Sequence, residues 1–287
     1  ESILVPLPAA RMMTEFDMQK SLCEFLTAVL SVCTKRARAD WVKMGYGMSQ
    51  RQAVFCQTEQ GKTMRSVIFD LDGTLADTSG DLIAAANYCF AQMGAPDLLD
   101  PEKDAGTALC GGRAMLALGL LRLGQEANED VIDANYSILL QAYSQAIDVH
   151  TVLYPGAMEA VEQLKTNGYK VGICTNKPYG LAETLLRRLG VLDTFESLIG
   201  ADSLPVRKPD PKPLFEAARR AGGDPALCCL VGDTVTDRTT AKAANVPSIL
   251  VTFGPAGGDM QALEPEGLLS DFSDLPDLVM QLIGENV

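Results

Sequence analysis

The chain has 287 residues, 47% of them hydrophobic and 21% charged, the balance of a soluble globular protein with enough apolar material for an enzyme-sized core. Its net charge of −13 argues against a broad surface for a polyanion such as DNA, yet permits a small anion at a site with its own local field. Eight cysteines without a C-x-x-C pair, and a single histidine, His150, argue against zinc and disulfide frameworks and point to a reducing, cytoplasmic setting.

Residues 1–63 differ in charge balance from residues 64–287. They carry 8 Lys and Arg against 6 Asp and Glu, whereas the remainder of the chain is strongly acidic. The apolar stretch from Leu22 to Cys33 is interrupted by Glu24 and is shorter than the roughly 18 residues a membrane-spanning helix needs. Acids precede it and the basic cluster KRAR lies after it, so it does not read as a signal peptide either. We expect an N-terminal extension of unknown role, with the functional unit beginning at Met64.

From Ser66 onward, short β-branched runs alternate with amphipathic segments. SVIFD, KVGICT, ESLIGA, LCCLVGD and PSILVTF are the strand candidates; AMEAVEQLKTNG, GLAETLLRRLG and PLFEAARRAGG carry apolar residues three and four apart and stop at glycine, as crossover helices do. This alternation predicts an α/β fold with a doubly wound parallel, Rossmann-like sheet. The stretch from Asp77 to Pro155 breaks the rhythm. Leu82, Ala85, Ala86, Cys89, Phe90 and Met93 form one apolar stripe, and GRAMLALGLLRLG and EDVIDANYSILLQAYSQAI continue as further helices. The expected organisation is an α/β core of residues 64–80 and 151–287 with an all-helical cap, residues 81–150, inserted after the first strand.

Ligands of doubly wound sheets bind beyond the carboxyl ends of the strands, so the residues that end each strand carry the functional information. In VIFDLDGTLAD these are Asp70 and Asp72; elsewhere they are Thr175, Lys208 in the loop after the third strand, and Asp233 with Asp237. Four carboxylates in one crevice repel one another, and Mg²⁺, a hard cation that prefers oxygen ligands, relieves that repulsion. The same ion would screen a phosphoryl group enough for Asp70 to attack it, with Lys208, Thr175 and backbone amides near Leu71 and Asp72 holding the remaining oxygens.

The motifs D-x-D-G-T-L-x-D, strand-end Thr-Asn, K-P-x-P and G-D-x-x-x-D occur in the order that resembles the haloacid dehalogenase superfamily, and the overall pattern is most similar to its phosphoglycolate phosphatase branch. The resemblance implies a Mg²⁺-dependent phosphatase working through a phosphoaspartyl intermediate. It implies Asp70 as nucleophile and metal ligand, and Asp72 as general acid and base whose backbone carbonyl binds the metal. Thr175 and Asn176 would bind phosphate, Lys208 would stabilise the phosphoaspartate, Asp233 would ligate the metal and Asp237 would support it from the outer shell or through water.

The resemblance implies that the cap reads the substrate, and there Gly111-Gly112-Arg113 offers a cation suited to the carboxylate of 2-phosphoglycolate. Other small substrates (a sugar phosphate, a nucleotide or pyrophosphate) and a non-catalytic phosphate sensor of the same fold are the alternatives; a dehalogenase is disfavoured by Asp72. Asp77 is expected to place negative charge at a helix N-terminus, and His150 to lie at the hinge or surface. The expected partner is a small phosphorylated metabolite, with no nucleic acid and no membrane, in a monomer or homodimer.

Overall fold

The strand SVIFD forms β1 over Ser66–Phe69 in the computed structural model, which describes residues 64–254 and 260–285. The N-terminal extension therefore lies outside the described residues. Parallel neighbours are hydrogen-bonded to β1 on both edges: β4 (Lys170–Cys174) pairs Phe69 with Ile173, and β6 (Cys228–Gly232) pairs Phe69 with Val231. With both edges and both faces covered, every residue of β1 is buried. Each of Val67, Ile68 and Phe69 thereby contributes about 1.5–3 kcal/mol of apolar burial.

Six parallel strands make the sheet, in the order β5-β4-β1-β6-β7-β8, where β5 is Ser197–Ile199, β7 Ser248–Val251 and β8 Gly267–Leu269. Alternation along the strands divides the core into two layers. Val67, Phe69, Val171, Ile173 and Val231 face α5 (Ala157–Thr166), α6 (Tyr179–Arg188) and α9 (Leu275–Ile283). Ile68, Cys174, Cys228 and Leu230 face α7 (Lys212–Arg220) and α8 (Val235–Ala244). Burial pushes the thiols of Cys174 and Cys228 up to about 12, so they pack as small apolar groups. The chain leaves β1 toward β4 on one side and returns to β6 on the other, which opens a crevice at the carboxyl end of β1.

The five strand candidates all form. The sixth strand, β8, and the antiparallel pair of β2 (Ala76–Asp77) with β3 (Val152–Leu153) add to them. Two or three residues carry too little alternation to announce a strand. The small pair joins the points where the chain leaves the core and returns to it, and the buried Asp81 locks the same junction by accepting hydrogen bonds from the amides of His150 (2.9 Å) and Thr151 (2.9 Å) and from the Thr151 hydroxyl (2.8 Å).

Between these points lie α1 (Ser79–Gln92), α2 (Ala105–Leu109), α3 (Gly112–Arg122) and α4 (Glu129–Gln145). Leu82, Ala85, Ala86, Cys89 and Phe90 of the predicted stripe are buried, and Met93 packs at its margin. Helices α1 and α3 meet at Phe90, whose ring occupies the space a side chain at Gly119 would take: a Cβ there would lie 2.0 Å from the ring tip. Asn87 pins the loop after α1 by bonding both the amide and the carbonyl of Leu99, each at 2.8 Å.

Phe90→Ala empties this cradle and should lower stability by about 3–5 kcal/mol in urea unfolding. A loss below about 1 kcal/mol would show that the Phe90–Gly119 contact does not hold α1 against α3.

Candidate active site

Asp70 continues the line of β1 by donating its amide to Val231 O at 2.8 Å, which fixes its side chain at the mouth of the crevice. The chain then folds back on itself: the amides of Thr74, Leu75 and Ala76 all converge on Leu71 O. Gly73 makes this turn possible. Its φ is +81°, and a Cβ would sit 2.2 Å from Asp233 Oδ2, so any other residue here would strain the backbone and displace a carboxylate.

Asp233 directly succeeds β6, and Asp237 lies in the first turn of α8. Thr234 caps that helix in a capping box: its Oγ1 accepts from the Asp237 amide (3.3 Å) and its own amide donates to Asp237 Oδ2 (3.2 Å), which also accepts from the Thr234 hydroxyl (2.6 Å). Oxygens of Asp70, Asp233 and Asp237 lie within 4.8 Å of one another, and all three residues are buried. Lys208, itself 3% exposed, places Nζ 3.0 Å from Asp70 Oδ1 and 2.7 Å from Asp237 Oδ1.

One lysine does not neutralise three acids. Desolvation pushes the Asp70 carboxyl up to about 6, with Lys208 opposing the rise and Asp237 and Asp72 adding to it. Asp233 is raised well above the ordinary range by burial and by Asp237 and Asp70. Its Oδ1 accepts from the Thr74 hydroxyl at 2.9 Å, but its Oδ2 is buried with no partner. An orphaned carboxylate oxygen beside two further acids is the donor set of a hard divalent cation, and the cluster can hold a metal.

The carboxylate of Asp72 stands apart from that cluster. It accepts from the Thr78 hydroxyl at 2.6 Å and from Lys177 Nζ. Lys177 is buried and its ammonium also lies 4.6 Å from the centre of the Tyr143 ring. Sequence reasoning missed it although it directly succeeds the Thr175-Asn176 pair; its position in the same strand-end loop was the available signal. Thr175 is buried and uses Oγ1 to accept from the Lys177 amide (3.1 Å), leaving its hydroxyl proton for a ligand. Asn176 is exposed and donates to Lys208 O at 3.1 Å, tying the second motif to the third.

The structure thus brings Asp70, Asp72, Thr175, Asn176, Lys208, Asp233 and Asp237 to one end of the sheet. Arg113, expected to read the substrate, is placed against α4. Its guanidinium pairs with Glu129 and with Asp133 (2.6 Å) and lies over the Tyr136 ring, so two carboxylates on α4 already match its charge. Asp77 accepts from the amide (3.0 Å) and hydroxyl (2.6 Å) of Ser79 at the start of α1, and His150 is exposed beside the junction. No helix among the described residues is long and apolar enough to cross a membrane.

Comparison with known proteins agrees with this architecture. Residues 64–245 match the model of the haloacid dehalogenase-like hydrolase family. The chain is 34% identical over 219 residues to the phosphoglycolate phosphatase of Caulobacter vibrioides, covering 76% of this chain and 92% of the relative. It is 36% identical over 222 residues to that of Cereibacter sphaeroides, covering 77% and 100%. Among solved structures, a haloacid dehalogenase-like hydrolase from Streptococcus pneumoniae superposes with a TM-score of 0.63 at 22% identity, over 74% of this chain and 96% of that one. A predicted phosphoglycolate phosphatase from Haemophilus somnus gives 0.66 at 24% identity, over 75% and 97%. With its motifs gathered in one crevice and most of its length matched, the chain belongs to the haloacid dehalogenase-like hydrolases.

Proposed function

We propose that this protein is a Mg²⁺-dependent phosphatase of a small phosphate monoester, 2-phosphoglycolate, acting through a phosphoaspartyl intermediate on Asp70. The observation that carries this reading is the division of labour between two aspartates two residues apart: Asp70 sits against Lys208 in the acid cluster, while the Asp72 carboxyl lies outside it. Relatives at 34–36% identity are phosphoglycolate phosphatases, which supports the substrate.

An oxygen of Asp70 attacks phosphorus and forms the P–O bond of the aspartyl phosphate as the bond to the leaving oxygen breaks. Asp72 gives its proton to the departing alkoxide, then takes one from the water that attacks the aspartyl phosphate, releasing inorganic phosphate and restoring Asp70. Lys208 balances the charge on Asp70 throughout, and the Thr175 hydroxyl with the backbone amides near Leu71 and Asp72 binds the equatorial oxygens. Held by Asp70, Asp233 and the Asp72 carbonyl with Asp237 in support, Mg²⁺ would neutralise the acids and screen the phosphoryl charge.

We assign catalysis to the core of residues 64–80 and 151–287 and access to the helical cap of residues 81–150. The cysteine pattern of the sequence is the ground for proposing a reducing, cytoplasmic setting.

Asp70→Asn should abolish turnover without unfolding the protein, since an amide is no nucleophile toward phosphorus. Asp72→Asn should lose roughly 10²–10⁴-fold on ethyl phosphate but far less on p-nitrophenyl phosphate, whose phenolate leaves without a proton. Near wild-type turnover of ethyl phosphate by either folded variant would refute the assignment.

The metal has a signature that does not depend on turnover. Asp70 titrates near 6 against an ordinary 3.8, so the folded, metal-free protein binds this proton more tightly than the unfolded chain. The carboxyl therefore costs stability progressively as pH rises from about 4 to 6, and fully above that. Mg²⁺ should raise Tm clearly at pH 7.5 and little at pH 5, where protons compete for the same oxygens. Equal shifts at both, or none, would count against the cluster as its site.

A chain beginning at Met64 should fold and retain full kcat/KM. Loss of activity or solubility would make residues 1–63 part of the working unit.

A further inference from the structure

Matching of charge inside the insert leaves a gap in the phosphatase reading. A carboxylate-bearing phosphate ester needs a cation beyond those that hold its phosphoryl group, yet Arg113 is paired with Glu129 and Asp133, and Arg122 with Asp104 at 2.6 and 2.7 Å. Among the described residues, the cations that touch the acids of the crevice are Lys208 and Lys177. Lys208 is committed to Asp70 and Asp237.

We propose that Lys177, beneath the ring of Tyr143, is the specificity-determining cation that binds the carboxylate of the substrate's leaving group. This rests on the phosphatase reading above and deepens it. The placement comes from the connectivity of the ester. If Asp72 protonates the bridging oxygen, its carboxyl touches that oxygen. In 2-phosphoglycolate a single methylene separates the oxygen from the carboxylate carbon. A cation bonded to Asp72 is therefore within one methylene of where the carboxylate must lie, and Lys177 Nζ is such a cation.

Tyr143 supplies the second, independent sign of a ligand. It projects from α4 and is 1% exposed, and its buried hydroxyl has the Lys177 ammonium, a donor, beside it and no acceptor for its own proton. An unsatisfied buried hydroxyl is costly, and an incoming carboxylate oxygen would accept from it. Burial pushes this phenol up to about 12, so it remains a donor across the working pH range. Lys177 precedes α6 in the core while Tyr143 belongs to the insert, so the subsite is complete only where the two meet. When substrate binds, the ammonium exchanges Asp72 for the substrate carboxylate, and Asp72 turns to the leaving oxygen.

The test compares kcat/KM for 2-phosphoglycolate and for ethyl phosphate, which keeps the phosphate and the alkoxide leaving group but lacks the carboxylate. Effects of a substitution on Asp72 or on folding act on both substrates and cancel in the ratio. Lys177→Met should lower the ratio of 2-phosphoglycolate to ethyl phosphate by roughly 10- to 100-fold, mainly through KM, as expected for losing a charged hydrogen bond. Lys177→Arg should retain part of the preference, and Tyr143→Phe, which keeps the ring, should lower the ratio several-fold. If Lys177→Met does not fold, the other two variants decide. An unchanged ratio in the folded variants would overturn the proposal and confine Lys177 to holding Asp72, and a loss confined to Arg113→Ala would hand the carboxylate to that residue. Wild-type protein that hydrolyses both esters equally well would refute the subsite while leaving the phosphatase standing; one that hydrolyses neither would refute the phosphatase itself.

Discussion

The structure is organised around the cost of holding carboxylates out of water. Asp70, Asp233 and Asp237 are buried within reach of one another, an arrangement that unpaired ions resist by several kcal/mol each. Each nearby device supplies positive charge or hydrogen-bond donors to that point. Lys208 bridges two of the acids, the start of α8 and Thr234 receive Asp237, and Thr74 donates to Asp233. What these donors leave without a hydrogen bond is Asp233 Oδ2 and Asp70 Oδ1, the latter facing only the Lys208 charge, and that residual demand is what a divalent ion would meet. A buried parallel sheet can support such a site because its own stability comes from apolar layers on both faces, well away from the strand ends.

Geometry at the site depends equally on what is missing. Without a side chain at Gly73, the turn after Asp70 can lie directly against Asp233, and a Cβ at Gly232 would meet the Asp237 carboxyl at 2.5 Å. Backbone and acids are thus packed directly against one another. Preorganisation of this kind lowers the reorganisation needed when charge shifts between nucleophile and phosphoryl group.

The insert contributes through contact rather than through charge of its own. Asp81 ties the outgoing and returning chain together, and Leu109 and Tyr143 reach toward the catalytic turn and Lys177. Its arginines pair within the insert, Arg113 with α4 and Arg122 with Asp104. Discrimination then falls to a boundary between insert and core, where an aromatic residue from one side covers a cation from the other.

Much of this was legible in the linear chain because it is local. A buried parallel strand is a short apolar run, and an active-site residue at its carboxyl end comes within one or two positions, so Asp70, Thr175 and Asp233 could be placed from pattern alone. The helical insert was equally visible, since the stripe from Leu82 to Phe90 repeats at the helical period. Strands of two or three residues, β2, β3 and β8, lack a period to detect and form only because neighbouring strands offer them an edge. Side-chain partnership was beyond reach for the same reason. Arg113 looked available until folding set it beside Asp133, and Lys177 looked incidental until folding set it between Asp72 and Tyr143. Residue type, periodicity and spacing by themselves determined the fold class and which acids, hydroxyl and lysine stand at the strand ends. Which cation is neutralised and which stands next to the reacting groups was decided only in three dimensions, because electrostatic partners are chosen by distance in space and not by separation along the chain.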